Sequence, residues 1–176
     1  MKTFFTKIEE DILICRNKEV LSFKDYIHIF NPILYPVILV RIASFLYEHK
    51  LGFLAKVISQ INFILFGCDI ARAAKIDGGL YLPHTSGIVI GEYATIGKNC
   101  VILQGVTLGD RGENYKTSNP IIGDYVEIGA GTKILGKIII GDYARIGANS
   151  VVLKDVPRYG VAVGLPAKVV KYREVV

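Results

Sequence analysis

The sequence predicts a mainly β protein, a parallel β-helix built from six-residue repeats, with a short helical region in front of it. An aliphatic residue returns at every sixth position over most of the chain after Gly67. It is usually followed by glycine or another small residue, which permits a tight corner of the backbone. Before Gly67, apolar residues are spaced by three and four, as in helices. We therefore divide the chain into a helical region, 1–67, and a β-helix with a C-terminal tail, 68–176.

The repeated aliphatic positions form three series that are separated by two interruptions. The series are Ile70, Ile76 and Leu82; Ile90, Ile96, Ile102 and Leu108; and Ile122, Ile128, Ile134, Ile140, Ile146 and Val152. In a solenoid of this kind each hexad supplies one short strand and one turn, and three hexads close a triangular coil. Each aliphatic side chain then points inward and stacks on its counterparts in the neighbouring coils.

The helical region is too apolar for helices that are exposed to water on most sides. Between residues 36 and 49 one helical face is wholly apolar, and it consists of Ile38, Leu39, Ile42, Phe45 and Leu46. Arg41 falls on the other side, although Val37 and Val40 join it there. We expect the region to pack against a partner subunit, the β-helix or a membrane surface, with subunit or domain packing preferred. No run of about 20 uncharged residues exists, so a membrane span is not expected.

Charge and cysteine content limit the partners and the compartment. The formal net charge is +5 and no segment is a dense basic arm, so nucleic acid is not an expected partner. The three cysteines are odd in number and have no metal-ligand spacing. We expect no metal site and a reducing, cytoplasmic location. The chain begins with charged residues where a secretion signal needs an apolar core.

The two interruptions of the repeat, at residues 82–87 and 109–120, are polar and are candidates for functional groups. His84 lies in the first, and an imidazole suits general-base work near neutral pH. Asp69 precedes it by somewhat less than one coil, so the two side chains are expected near each other on adjacent rungs. Asp69 could then accept a hydrogen bond from one imidazole nitrogen and leave the other free. Alternatively, His84 is a structural histidine in a loop and Asp69 is an aspartate in a turn.

Residues 68–170 resemble the serine acetyltransferase branch of the hexapeptide-repeat acyltransferases. The matching segments are CDI at 68–70, LPHTSGIVIGE at 82–92, LQGVTLG at 103–109, IGAGTKILG at 128–136, IGANSVV at 146–152 and GLPAK at 164–168. The resemblance implies a left-handed β-helix that forms homotrimers or larger assemblies, with active sites between neighbouring prisms. It also implies that His84 deprotonates an acceptor hydroxyl, that Asp69 orients His84, and that the hydroxyl attacks the thioester of acetyl-CoA directly.

The same resemblance suggests which residues bind the acetyl donor. Ala130, Gly131 and Ala148 would line the channel for CoA. Lys154 and Lys168 are candidates for its phosphates, with ordinary surface lysines as the alternative. Cys68 and Cys100 are interpreted as small packing residues, which agrees with transfer that needs no cysteine nucleophile.

The chain departs from the serine enzymes where the acceptor is held. Pro83 stands where those enzymes usually have aspartate, and Ser118-Asn119 where they usually have arginine and histidine. A second subgroup, short acetyltransferases that modify sugar hydroxyls in surface-glycan assembly, has a similar Pro-His pair and a brief apolar leader. We therefore expect a sugar acceptor, contacted by Arg111, Tyr115, Ser118 and Asn119, for an enzyme that works near the inner face of a membrane. Serine O-acetylation is the alternative, and a non-catalytic scaffold is the second alternative.

Overall fold

The computed structural model describes residues 3–22, 24–26, 31–112 and 118–174. Its helices are α1 (Phe4–Arg16), α2 (Tyr35–Glu48) and α3 (Gly52–Phe66). The strands that follow are very short, mostly two residues, because the chain turns a corner after each one. They stack into the three sides of a triangular prism.

The first side of the prism consists of β1 (Asp69–Ile70), β3 (Val89–Ile90), β6 (Thr107–Gly109), β9 (Lys133–Leu135) and β12 (Val151–Val152). The second side consists of β2 (Lys75–Ile76), β4 (Thr95–Ile96), β7 (Ile121–Ile122) and β10 (Ile139–Ile140). The third side consists of β5 (Val101–Ile102), β8 (Glu127–Ile128), β11 (Arg145–Ile146), β13 (Gly160–Gly164) and β14 (Ala167–Tyr172). All neighbouring strands within a side are parallel except β13 and β14, which form an antiparallel hairpin.

The interior of the prism confirms the repeat. All thirteen aliphatic positions of the three series are buried, none more than 5% exposed. Where the repeat is uninterrupted, residues one coil apart pair in register, as Val89 does with Thr107 and Lys133 with Val151. Cys68 and Cys100 are buried in the same core, as packing residues should be. The fold is the predicted left-handed parallel β-helix preceded by short helices, and that fold class is confirmed.

Two of the three corners repeat a left-handed backbone conformation on successive coils. The glycine corner, between the third and first sides, has positive φ at Gly87, Gly105, Gly131 and Asn149. The tyrosine corner, between the second and third sides, has positive φ at Tyr125, Tyr143 and Tyr159. These tyrosine rings stack on one another with centroids 4.8 and 5.1 Å apart. Bulky residues rarely adopt positive φ, so the stacking offsets part of the strain. The third corner, where residues 110–120 interrupt the repeat, is called the loop corner.

The helical region covers the open end of the prism through a buried ion pair. Arg41 of α2, which is 4% exposed, donates two hydrogen bonds of 2.9 Å to the carboxylate of Asp11 in α1. Its remaining N–H groups bind the carbonyls of Ile76 and Asp77 at 2.8 and 2.6 Å. Asp11 in turn accepts a hydrogen bond from the backbone N–H of Leu80. Since β2 is the edge strand of the second side, the pair replaces the partners that a further coil would supply.

The apolar face predicted for α2 is not the face that it buries. Val37, Val40 and Arg41 face the prism, whereas Phe45 from the predicted apolar face is 40% exposed. The reason is the charge on Asp11, which draws Arg41 inward and turns the helix with it. The expected packing of the helices against the β-helix is thus observed for α1 and α2.

Helix α3 leaves most of its apolar surface open in the single chain. It buries only Ala55 and Asn62, while Phe53 and Ile64 are at least 70% exposed. Across the described part of the chain, no helix combines the length and apolarity needed to cross a membrane. The division of the chain at residue 67 remains a prediction.

Replacing Arg41 by Met should lower the free energy of unfolding by about 3–5 kcal/mol, because Asp11 would stay buried without its counter-charge. Urea unfolding monitored by circular dichroism measures the loss. The matched control is Arg145→Met, which removes a shorter ion pair, 2.6 Å to Glu127, that is about half exposed. That change should cost only about 0–1 kcal/mol. Equal losses in the two variants would contradict the assigned importance of the buried pair.

Candidate active site

His84 lies in the turn that joins the third side to the first, at the start of the glycine corner. Its side chain is exposed. The turn is fixed on both sides of it: the hydroxyl of Thr85 donates to the carbonyl of Phe66 at 2.8 Å, and the N–H of Gly87 donates to the carbonyl of Gly67 at 2.8 Å. The backbone of His84 is therefore held against the end of α3 while its imidazole faces outward.

Asp69 is the outward-facing residue of β1, on the first side. Its backbone N–H donates to the carbonyl of Ile88, so the turn that carries His84 ends on the rung of Asp69. No hydrogen bond joins these two described side chains, although both are exposed. The expected hydrogen bond between Asp69 and His84 therefore remains a prediction. It applies to the site with substrate bound, since catalytic hydrogen bonds often tighten only when substrate binds.

Ala130, Gly131 and Ala148, the predicted CoA-channel residues, lie along the glycine corner that His84 begins. The backbone N–H of Gly131 donates to Gln104, and that of Asn149 donates to Ala130. An added Cβ on Gly105 would lie 3.4 Å from the Cα of Gly131, so successive turns of this corner nearly touch. The corner thus presents a line of exposed or half-buried backbone and small side chains, open to a long, thin ligand.

The two predicted phosphate-binding lysines fall in different places. Lys168 pairs with Val163 in the β13–β14 hairpin, and a Cβ on Gly147 would lie 2.6 Å from the Val163 side chain. The hairpin therefore reaches the glycine corner beside Ala148. Lys154 follows β12 at the other end of the first side, towards the loop corner. Both lysines are exposed.

The predicted acceptor residues lie in or beside the loop corner. Ser118 and Asn119 are each only 8% exposed, and a Cβ on Gly91 would come within 2.7 Å of the Asn119 amide oxygen. Their burial favours a role in closing the corner. Arg111 is exposed and its aliphatic stem crosses Gly136, where a Cβ would collide with it. Tyr115 lies outside the described residues.

Lys133 is a charged group that the sequence reasoning did not single out. It faces outward from β9, and its Nζ donates to the carbonyl of Gly105 at 2.6 Å and to the hydroxyl of Thr107 at 3.0 Å. The ammonium is thus fixed where the first side meets the glycine corner. The sequence contains one signal for this group, because Lys133 stands at an outward-facing position of the repeat, two residues after Gly131.

The cysteines are poor nucleophiles. Burial raises the pKa of the Cys68 thiol to about 11 and that of Cys100 to about 12, and burial also raises the pKa of Cys15. Near neutral pH these thiols are therefore protonated, and the thiolate is the reactive form. Among the described residues no cluster of three or more histidine, cysteine, aspartate or glutamate side chains is arranged to hold a metal ion.

Comparison with known proteins identifies similar sequences and folds. Residues 119–154 match the family described as bacterial transferase hexapeptide (six repeats), and residues 87–111 match the hexapeptide repeat of succinyl-transferase. Proteins named serine acetyltransferase from Staphylococcus aureus (strain N315) and Staphylococcus epidermidis (strain ATCC 12228 / FDA PCI 1200) are 48% identical to the chain over 130 residues. The match covers 74% of the chain and 61% of each relative, so the chain spans about three fifths of their length.

Solved structures extend the similarity over almost the whole chain. The soybean serine acetyltransferase apoenzyme has a TM-score of 0.85 at 38% identity, covering 95% of the chain and 69% of that protein. Serine acetyltransferase from Brucella abortus strain S19 in complex with coenzyme A gives 0.89 at 32% identity, covering 98% and 70%. The Neisseria gonorrhoeae enzyme in complex with serine gives 0.83 at 37% identity, covering 94% and 68%.

These similarities correct one expectation. A sugar acceptor in surface-polysaccharide assembly, inferred from Pro83 and the neutral loop, is wrong, because the similar proteins and structures are named serine acetyltransferase. The neutral residues Ser118 and Asn119 that suggested sugar hydroxyls are buried in the corner. Their polarity therefore carried no information about the acceptor.

In the native protein at neutral pH we expect the thiols of Cys68 and Cys100 to resist alkylation, because both are buried and protonated. Iodoacetamide labelling followed by peptide mass spectrometry, with and without urea, measures this. All three cysteines should be labelled in urea, and Cys15 alone should be labelled slowly without it. Rapid labelling of Cys68 or Cys100 in the folded protein would contradict their packing role.

Proposed function

Because the chain belongs to the serine acetyltransferase branch of the hexapeptide-repeat acyltransferases, we propose that it transfers the acetyl group of acetyl-CoA to the hydroxyl of L-serine. The observation that carries the proposal is that His84 shares one corner of the prism with a line of backbone and small side chains. A proton acceptor and a surface suited to a thin, extended donor are thereby adjacent. The acceptor is proposed from the serine acetyltransferases to which the chain is similar.

His84 acts as the general base in this proposal. The serine hydroxyl oxygen attacks the carbonyl carbon of the thioester while its proton passes to a nitrogen of His84. Collapse of the tetrahedral intermediate breaks the bond from carbon to sulfur, and the proton moves from His84 to the departing CoA sulfur. O-acetylserine and CoA are the products, and no acyl-enzyme forms. Asp69, whose backbone is tied to the end of the His84 turn, accepts a hydrogen bond from the second imidazole nitrogen and orients the ring.

The glycine corner holds the donor. The pantetheine arm of acetyl-CoA lies along Ala130, Gly131 and Ala148, where the missing side chains let it approach the backbone closely. Lys168, on the hairpin that reaches this corner, is the better candidate for a CoA phosphate. Lys154 lies at the far end of β12 and is the weaker one. Lys133, fixed beside Gly105, places a positive charge at the edge of the same corner.

The acceptor poses a separate requirement. Serine is a zwitterion, so its carboxylate needs a cation. Pro83, Ser118 and Asn119 supply no charge, and the last two are buried. Among the described loop residues Arg111 has an exposed cationic side chain. Because Arg111 lies at the loop corner and His84 at the glycine corner, we assign Arg111 to the serine carboxylate in a site shared between neighbouring prisms.

Further properties of the assembly stay predictions from the sequence. They are a homotrimer or larger homo-oligomer with sites between prisms, a cytoplasmic location, and a peripheral membrane contact of the helical region. The exposed apolar surface of α3 is consistent with a covering subunit.

Replacing His84 by Ala should lower kcat for acetyl transfer to L-serine by about 10²- to 10⁴-fold, the usual contribution of a general base. Release of CoA thiol in the presence of acetyl-CoA and serine measures the rate. The matched control is His49→Ala, since His49 is an exposed histidine at the end of α2, away from the glycine corner. It should keep the wild-type rate.

An active His84→Ala variant would reject His84 as the base. A wild-type protein that binds CoA but releases no thiol with serine or any other acceptor would favour the non-catalytic scaffold.

Replacing Arg111 by Gln should raise KM for serine by about tenfold or more, because a charge-assisted hydrogen bond to the carboxylate is lost. The KM for acetyl-CoA should stay unchanged. Arg158→Gln is the matched control, since Arg158 is exposed at the tyrosine corner, 4.9 Å from the Tyr159 ring centroid. A rise in the KM for acetyl-CoA alone would move Arg111 from the acceptor to the donor.

A further inference from the structure

A cleft of about 490 Å³ lies between the helical region and the outer face of the second side. Helices α1 and α2 form one wall, and β2, β4 and β7 form the other. None of the described residues that are assigned above to catalysis, to the acetyl donor or to the acceptor lines this cleft. The cleft is therefore separate from the proposed active site.

The cleft has an unusually placed cation, Arg72, in the turn after β1. Its guanidinium lies over the ring of Tyr47, 5.4 Å from the centroid. Its Nε is buried and has no hydrogen-bond partner among the described residues. A buried N–H without an acceptor costs free energy, so such a group calls for an explanation. An acceptor brought by a ligand would supply the missing partner.

Other basic groups surround Arg72 in the cleft. Lys7 of α1 uses its Nζ in one hydrogen bond, to the carbonyl of Ile76, and Lys75 of β2 also lines the wall. Arg41 is already neutralised by Asp11. Glu48 and Asp77 are present, but neither forms an ion pair within 4.0 Å of Arg72 in the described structure. The charge of Arg72 is thus available to an anion.

The helical wall of the cleft is partly aromatic. Phe4, Phe45 and Tyr47 line the helical wall, and the opposite wall is formed by Thr95 and by the backbone of β4 and β7, since Ile96 and Ile122 are buried in the prism. The volume of the cleft falls in the range of small-molecule sites and is larger than a bare inorganic ion needs. The cleft therefore offers an apolar surface beside a cation whose planar donor edge matches a carboxylate or a phosphate.

We propose that this cleft binds a small organic anion, with its oxyanion on Arg72 and Lys75 and a flat apolar group against Phe45 and Tyr47. Such a ligand would touch α2 as well as the first coil of the β-helix. It would therefore fasten the helical region to the prism and stabilise the folded chain. The proposal does not depend on the acetyl acceptor or on the activity of the chain.

The test uses phenyl phosphate and benzoate as probes on the full chain, with saturating CoA present to occupy the donor site. Calorimetric titration should show one site per chain for at least one probe, and that probe should raise the melting temperature. Benzyl alcohol, which has the ring without the charge, and inorganic phosphate, which has the charge without the ring, should bind far more weakly. The stronger of the two aromatic probes tells whether the site prefers phosphate or carboxylate.

Arg72→Met should weaken binding of the preferred probe by about tenfold or more. Arg158→Met is the matched control, since Arg158 also stacks on tyrosine but lies at the tyrosine corner, and it should bind as the wild type does. Lys75→Met should also weaken binding, and it keeps the test valid if Arg72→Met misfolds. The proposal is overturned if neither aromatic probe binds at millimolar concentration with CoA present, or if the cleft and control variants bind alike.

Discussion

The edge of the first coil is the constraint on which the rest of this structure depends. Every coil of the prism satisfies its backbone by bonding to the next, so the first coil has one unpaired face. The buried Asp11–Arg41 pair meets that need at Ile76, Asp77 and Leu80, with hydrogen bonds that a further coil would otherwise make. With the end closed, the aliphatic column stacks without exposure.

Much of the β-helix was predictable because its cause is local and repeated. Each hexad has the same residue pattern wherever it occurs in the chain, and all thirteen aliphatic positions are buried as expected. The orientation of α2 was not predictable in this way, because the partner that draws Arg41 inward is thirty residues away in another helix. The tyrosine corner was also missed, since Tyr143 at positive φ contradicts local preference and is held by its neighbours on adjacent coils.

The positions of the candidate site residues in the fold were predictable where they follow the repeat and less so where they leave it. His84, Gly131 and Ala148 share a corner because residues one coil apart lie on adjacent rungs. Asn119 belongs to an insertion whose path no period specifies, and its polar amide proved to be buried. An acceptor inferred from the polarity of such a segment was wrong, because exposed and buried polar residues look alike in a sequence.

A crystal structure of the full chain with CoA bound tests the central claim, that one corner of the prism carries the donor to the base. We expect the pantetheine arm to lie along the glycine corner beside Gly105 and Gly131, with its sulfur towards His84. Density for CoA at the tyrosine corner, or in the cleft beside Arg72, with an empty glycine corner would contradict it.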